Sequence, residues 1–129
     1  MVKATLLLLL LAGLVPVRDQ GQWQYQSPDV SEWFKSLRQP DHPAVSCCGE
    51  ADAYYADETD VGPNGETIAI ITDTRDDVPL GRQHIDVGTR IVVPAEKVRR
   101  PSSMNPTGHT ILFVGTGGTV FCYEPQPLI

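Results

Sequence analysis

The chain has 129 residues, 41% of them apolar, with Pro 11, Gly 11 and a formal charge of −6. That length holds one ordinary domain and excludes two, and the apolar content excludes a disordered chain. An acidic balance without a recognised binding motif excludes nucleic acid as the expected partner.

Residues 1–21 read as an export signal. Lys3 supplies a positive start, Leu6 to Leu11 is an unbroken apolar run within Ala4 to Val17, and Pro16 with the polar stretch from Arg18 to Gln22 ends it. The segment is shorter than the ~20 apolar residues a bilayer span needs. A cleaved leader is therefore expected, with no stable membrane span afterwards, leaving a single β-rich domain over 22–129.

Residues 18–26 form a polar linker carrying Trp23 and Tyr25. Ser27-Pro28-Asp29 then predicts a helix start, with Ser as N-cap, Pro in the first turn and Asp near the positive end of the dipole. Val30, Trp33, Phe34 and Leu37 recur at helical spacing on one face, and Pro40 stops the helix. Residues 41–45 read as a loop, and Ser46 as the cap of a short second helix running to about Tyr55.

The periodicity then changes. The acidic stretch Asp57 to Glu66 resembles a calcium loop in composition, but Val61 stands where an oxygen ligand is needed, so a hairpin turn around Gly62-Pro63-Asn64-Gly65 is expected instead. Strands are predicted at Thr67 to Thr72, Thr89 to Val93, Thr110 to Val114 and Thr119 to Tyr123. The last two are joined by Gly115-Thr116-Gly117-Gly118 and form a hairpin. Asp73, Asp76 and Asp77 read as a solvated loop. The fold expected is α+β, with one or two short N-terminal helices packed on a small, strongly bent antiparallel sheet or partial barrel.

Charge is unevenly placed. Nine acidic residues lie between Glu50 and Asp77 against Arg75 alone, after which Arg82, Arg90, Lys97, Arg99 and Arg100 make a basic stretch. These are read as two solvated faces of opposite sign. A binding role for Arg90, Lys97, Arg99 and Arg100 is the sharper reading.

Cys47, Cys48 and Cys122 are the only cysteines. In an oxidising compartment Cys122 is expected to pair with Cys47 or Cys48, tying the N-terminal part to the last strand. Two chemistries compete with that structural role. Transition-metal binding could draw on His42, Cys47, Cys48, Asp52, His84, His109 and Cys122, although no C-x-x-C or H-x-x-x-H spacing occurs. A cysteine nucleophile would need a thiol activated at a helix start and a histidine base. Gly108-His109-Thr110-Ile111-Leu112-Phe113-Val114-Gly115 resembles the His-bearing strand of NlpC/P60-type peptidoglycan hydrolases. That resemblance implies Cys48 as nucleophile, in Ser46-Cys47-Cys48-Gly49, and His109 as base. The following strand carries Val120, Phe121 and Cys122, so it offers no polar residue to orient the imidazole.

A longer pattern runs through the chain. Trp33 to Leu37, Ser46-Cys47-Cys48-Gly49-Glu50-Ala51-Asp52-Ala53-Tyr54, Val92-Val93-Pro94, Asn105-Pro106-Thr107-Gly108-His109 and Phe121-Cys122-Tyr123 together resemble a family of small exported alphaproteobacterial proteins without an assigned function. The resemblance implies a periplasmic or secreted protein and adds no catalytic residue. A likeness to exported proteins with a Cys-Cys-x-x-x-Asp-Cys element is more distant, since Ala53 stands at the last Cys. The function expected is a non-enzymatic binding or structural module held by a disulfide, without a cofactor, acting on a cell-envelope or extracellular partner. A cysteine hydrolase using Cys48 and His109 is the alternative.

Overall fold

The computed structural model describes residues 28–101 and 104–127. The leader, the linker and the Ser27 cap lie outside the described residues. Helix α1 spans Pro28–Ser36, and its last turn closes where Leu37 N–H donates to Phe34 O. Phe34 and Leu37 are buried, with Val30 and Trp33 packed beside them, as the helical spacing predicts. None of the described helices is long and apolar enough to cross a membrane.

Eight strands follow among the described residues. Strands β1 (Arg38–Gln39) and β2 (His42–Ser46) form a small irregular hairpin, β1 in residues expected to end the helix and β2 in most of the stretch expected to be loop. The others are β3 (Ala51–Tyr55), β4 (Glu58–Val61), β5 (Thr67–Ile70), β6 (Arg90–Val93), β7 (Ile111–Gly115) and β8 (Val120–Glu124). They make two antiparallel sheets, ordered β3-β7-β8 and β4-β5-β6. A short helix α2 (Asp77–Leu80) interrupts the connection from β5 to β6. The fold is α+β and mostly β, without a closed barrel.

The β3-β7-β8 sheet is covered on both faces. Ala51, Ala53, Ile111, Phe113 and Cys122 turn toward α1, in one core cluster with Phe34 and Leu37. Tyr54, Leu112, Val114, Val120 and Tyr123 turn the other way, onto Ala69, Ile71 and Val93 of the second sheet. Two-sided burial corrects the expectation of a second helix at 46–55. A strand buried on both faces loses its polar alternation, and Ala51-Asp52-Ala53-Tyr54, with two alanines and no β-branched residue, then reads as helix. Ser46 does cap locally, accepting from Cys48 N–H through Oγ at 3.1 Å, but the cap opens a turn into β3.

The Cys47–Cys122 disulfide is fully buried and ties the turn after β2 to strand β8. Beside it, Arg99 Nε donates to the buried Glu124 Oε1 at 2.6 Å and Arg99 Nη1 to Arg38 O, which docks β1 on the end of β8. Burial pushes the Glu124 carboxyl above its ordinary value, against the opposing pull of Arg99. A carboxyl raised in the folded state stabilises more when protonated, so its contribution is larger below the folded pKa and falls as pH rises from the unfolded value through it. Glu124→Gln is accordingly expected to remove a component of stability that increases on acidification, read as a flatter denaturation midpoint against pH. An unchanged profile would show that Arg99 already compensates the burial.

Candidate functional site

The register of the β3-β7-β8 sheet separates the two residues expected to act together. Ala51 pairs with Gly115 and Tyr55 with Ile111. Cys48 precedes Ala51 by one turn, its carbonyl accepting from Ala51 N–H, whereas His109 precedes Ile111 at the opposite end. Four strand steps, about 13 Å, lie between those ends. Cys48 is buried among apolar side chains, with Sγ donating to Phe34 O at 3.3 Å, and it precedes a strand rather than a helix. The dipole that would activate it at a helix start is therefore missing there.

His109 does have an orienting carboxylate, which the sequence places far from it. Nδ1 lies 2.7 Å from Asp57 Oδ2, and the ring stacks on Tyr55 with centroids 3.8 Å apart. Arg75 lies over the Tyr55 ring at 3.9 Å. Asp57 also accepts from Thr110 N–H and Gln126 Nε2. Burial would raise its carboxyl, but the hydrogen bonds from His109, Thr110 and Gln126 outweigh that and hold it below the ordinary value. A carboxylate on Nδ1 keeps the proton there and leaves Nε2 as acceptor. Such a ring can serve as a base, but the structure does not bring Cys48 to it.

The loop carrying His109 is built by Asn105. Its buried amide donates to His109 O and Pro125 O, and its Oδ1 accepts from Thr107 N–H and Thr107 Oγ1. Gly108 makes the bend with φ 74°. Asn105, Thr107, Gly108 and His109 of that motif thus each have a structural account. Among the described residues no three His, Cys, Asp or Glu side chains converge to hold a metal ion, and His42, His84 and His109 each face a different carboxylate.

The basic stretch meets acids of the same chain. Arg90 reaches across β5 to Asp60 at 2.6 Å, Lys97 bonds Asp41 and Gln39, and Arg99 bonds Glu124. Arg100 is exposed. Arg82 is the exception to a solvated face. Its side chain is buried and takes part in four polar contacts: Nε to Asp77 Oδ1 at 2.7 Å, Nη1 to Asp73 Oδ2 at 2.7 Å and to Ala53 O at 2.9 Å, and Nη2 to Arg75 O at 3.2 Å. Asp73 is buried too, correcting the expectation of a solvated loop there; it accepts from Arg75 and from Tyr55 N–H. Burial opposes its charge, but Arg75 and Arg82 hold the carboxyl well below the usual range. Arg82 bonds Ala53 O and Asp73 accepts from Tyr55 N–H on the outer edge of β3, which among the described residues no strand pairs.

What this network holds is the connection from β5 to β6, residues 71–89. Most connections in small domains run to ~4–6 residues, and long ones packed by their own side chains are frequently functional. This one is pinned along its length. Asp76 caps α2 by accepting from Val78 N–H, Gly81 ends it with φ 65°, and Leu80 is buried. Tyr54 Oη donates to Gln83 O, Gln83 Nε2 donates to Gly115 O, and Ile85 packs on the core. Yet Val78 is 86% exposed and Val87 58%. His84 sits between the two arms, with Nδ1 2.6 Å from Asp77 Oδ2 and Nε2 2.6 Å from Asp86 Oδ1. The sequence does not mark this loop, because its anchor, Arg82, is indistinguishable in sequence from a surface cation. The signal present was the spacing between two strands without a turn motif to join them.

Compared with family models, with curated proteins and with solved structures, the chain matches none.

Proposed function

We propose that this chain is an exported, non-enzymatic binding domain, periplasmic or secreted, and that the loop from β5 to β6 is its recognition element. One observation carries this reading: a loop held by a buried arginine nevertheless presents two large aliphatic side chains to water. Rigid scaffolds that position exposed loop residues are how binding sites are built, and a pre-ordered loop avoids the entropy cost of ordering on contact. The buried disulfide supports an oxidising compartment. The pairing of Arg90, Lys97 and Arg99 within the chain leaves the basic stretch little net field to offer a partner. The partner is taken to be a polypeptide of the envelope or of the extracellular space.

The test is site-specific photo-cross-linking in producing cells. A photoreactive residue at Val78 or Val87 is expected to give a discrete adduct, and the same residue at the exposed Val45 or Val61 is not. Equal labelling at all four positions, or none at the loop, would overturn the loop assignment. Cleavage of peptidoglycan by the purified protein, lost on Cys48→Ala, would overturn the non-enzymatic reading and restore the hydrolase.

A further inference from the structure

The sequence holds two asparagines, and the fold treats them oppositely. Asn105 is buried, its amide donates to His109 O and Pro125 O, and its Oδ1 accepts from Thr107. The residue after it is Pro106, which has no backbone N–H. Asn64 is exposed at the tip of the β4–β5 hairpin, and among the described residues no hydrogen bond holds its carboxamide. The residue after it is Gly65, with φ 81°, where even an added Cβ would meet nothing within 4 Å. No side chain therefore shields the Gly65 nitrogen from the Asn64 carboxamide.

We propose that Asn64 is a self-modification site, converting without an enzyme to aspartate and isoaspartate, with water as the co-reactant. Asparagine is among the thermolabile residue types. The Gly65 nitrogen, its proton passing to hydroxide, attacks Asn64 Cγ. The N–Cγ bond forms, the Cγ–Nδ2 bond breaks, and the side-chain nitrogen leaves as ammonia, closing a succinimide ring. Water then opens the ring without any oxidation or reduction. Cleavage of the N–Cγ bond restores the ordinary backbone with an aspartate side chain. Cleavage between the Gly65 nitrogen and the Asn64 backbone carbonyl carbon runs the chain through Cγ and gives isoaspartate.

One contact sets the pace. Gly65 N–H donates to Gly62 O at 3.0 Å, and the nitrogen is free to attack only when that bond opens. The turn is otherwise held by Gly62 N–H to Glu66 O and by Asn64 N–H to Glu66 Oε1, each at 2.8 Å. β4 is an edge strand exposed along its length, and such hairpin ends open far more readily than a core. The product then alters the turn. Isoaspartate lengthens the backbone between Gly62 and Glu66 by one carbon, which puts the Gly65–Gly62 and Gly62–Glu66 bonds out of register. Aspartate keeps the backbone and adds charge beside Glu66.

The full protein, folded and urea-unfolded, is incubated in neutral and in mildly alkaline buffer and then peptide-mapped by mass, with isoaspartate separated by chromatography. Amide-to-acid conversion is expected at Asn64 and not at Asn105, and faster in the alkaline buffer. It should be several-fold slower in the folded chain than in the unfolded one, and absent at that position in Asn64→Gln, whose longer side chain closes a ring poorly. The Gly62 amide should exchange with solvent faster in the isoaspartate fraction than in Asn64→Asp, which carries the charge without the extra carbon. An inert Asn64 in the folded protein while the unfolded chain converts would overturn the site, as would equal conversion at Asn105. Equal Gly62 exchange in the isoaspartate fraction and in Asn64→Asp would overturn the effect assigned to the turn.

Discussion

Cys122→Ala is expected to lower folding stability by about 4.5 kcal/mol, the chain-entropy value for a cross-link over a separation of 75 residues. Domains of this size have only ~5–15 kcal/mol in total, so the variant should denature at far lower urea than the oxidised parent. The loss has a definite structural meaning. The bridge holds the turn before β3 to β8, and so helps keep α1 on the β3-β7-β8 sheet. Cys47→Ala is expected to cost the same while Cys48 keeps its place against Phe34 O. A milder Cys47→Ala, in which Cys48 no longer reacts with an alkylating reagent after unfolding, would show the bridge re-formed one residue along. Equal denaturation midpoints for the oxidised and reduced parent would sink the role assigned to the disulfide.

Arg82→Met should cost about 3–5 kcal/mol, the usual penalty for removing one member of a buried ion pair. The loss exceeds that of an ordinary surface arginine because Asp73 stays buried, Ala53 O and Arg75 O each lose a donor, and Asp77 loses its fixed partner. Arg82→Met combined with Asp73→Asn should recover part of it, since Asp73 then no longer carries a buried charge balanced by Arg75 alone. Acid reports on the same network. Asp73 is held well below the usual carboxylate range, chiefly against burial and through Arg75 and Arg82. A depressed carboxyl contributes stability that is present above the unfolded value, about 3.9, and is lost as pH falls through the folded one. The parent should therefore lose stability in strong acid more steeply than Asp73→Asn does. Parallel curves for the two would show that Asp73 is not the group being titrated.

These two sites show how far the sequence could be read. The disulfide was open to expectation because cysteine chemistry is carried by residue type, and a chain with three cysteines leaves few pairings; which of two adjacent residues pairs was beyond it. Arg82 was read with the solvated basic stretch, since nothing local marks an arginine whose partners lie at Asp73, Asp77 and the carbonyl of Ala53. Asp57 was set aside as part of a turn for a similar reason: His109, which it orients, is 52 positions away in the chain.

By itself the sequence determined the local elements whose physics is local. The aliphatic and aromatic spacing of Val30, Trp33, Phe34 and Leu37 makes α1, the β-branched run at 67–71 makes β5, and the glycines at 115–118 force the β7–β8 hairpin. Tertiary structure decided what depends on neighbours distant in the chain. It made Ala51–Tyr55 a strand by burying it on both faces, placed Cys48 and His109 at opposite ends of one strand pair, and turned Arg82 inward. The physical reason is common to all three. Propensity and periodicity are sums over adjacent residues, whereas burial, register and ion pairing are fixed by which surfaces meet after the chain has closed on itself.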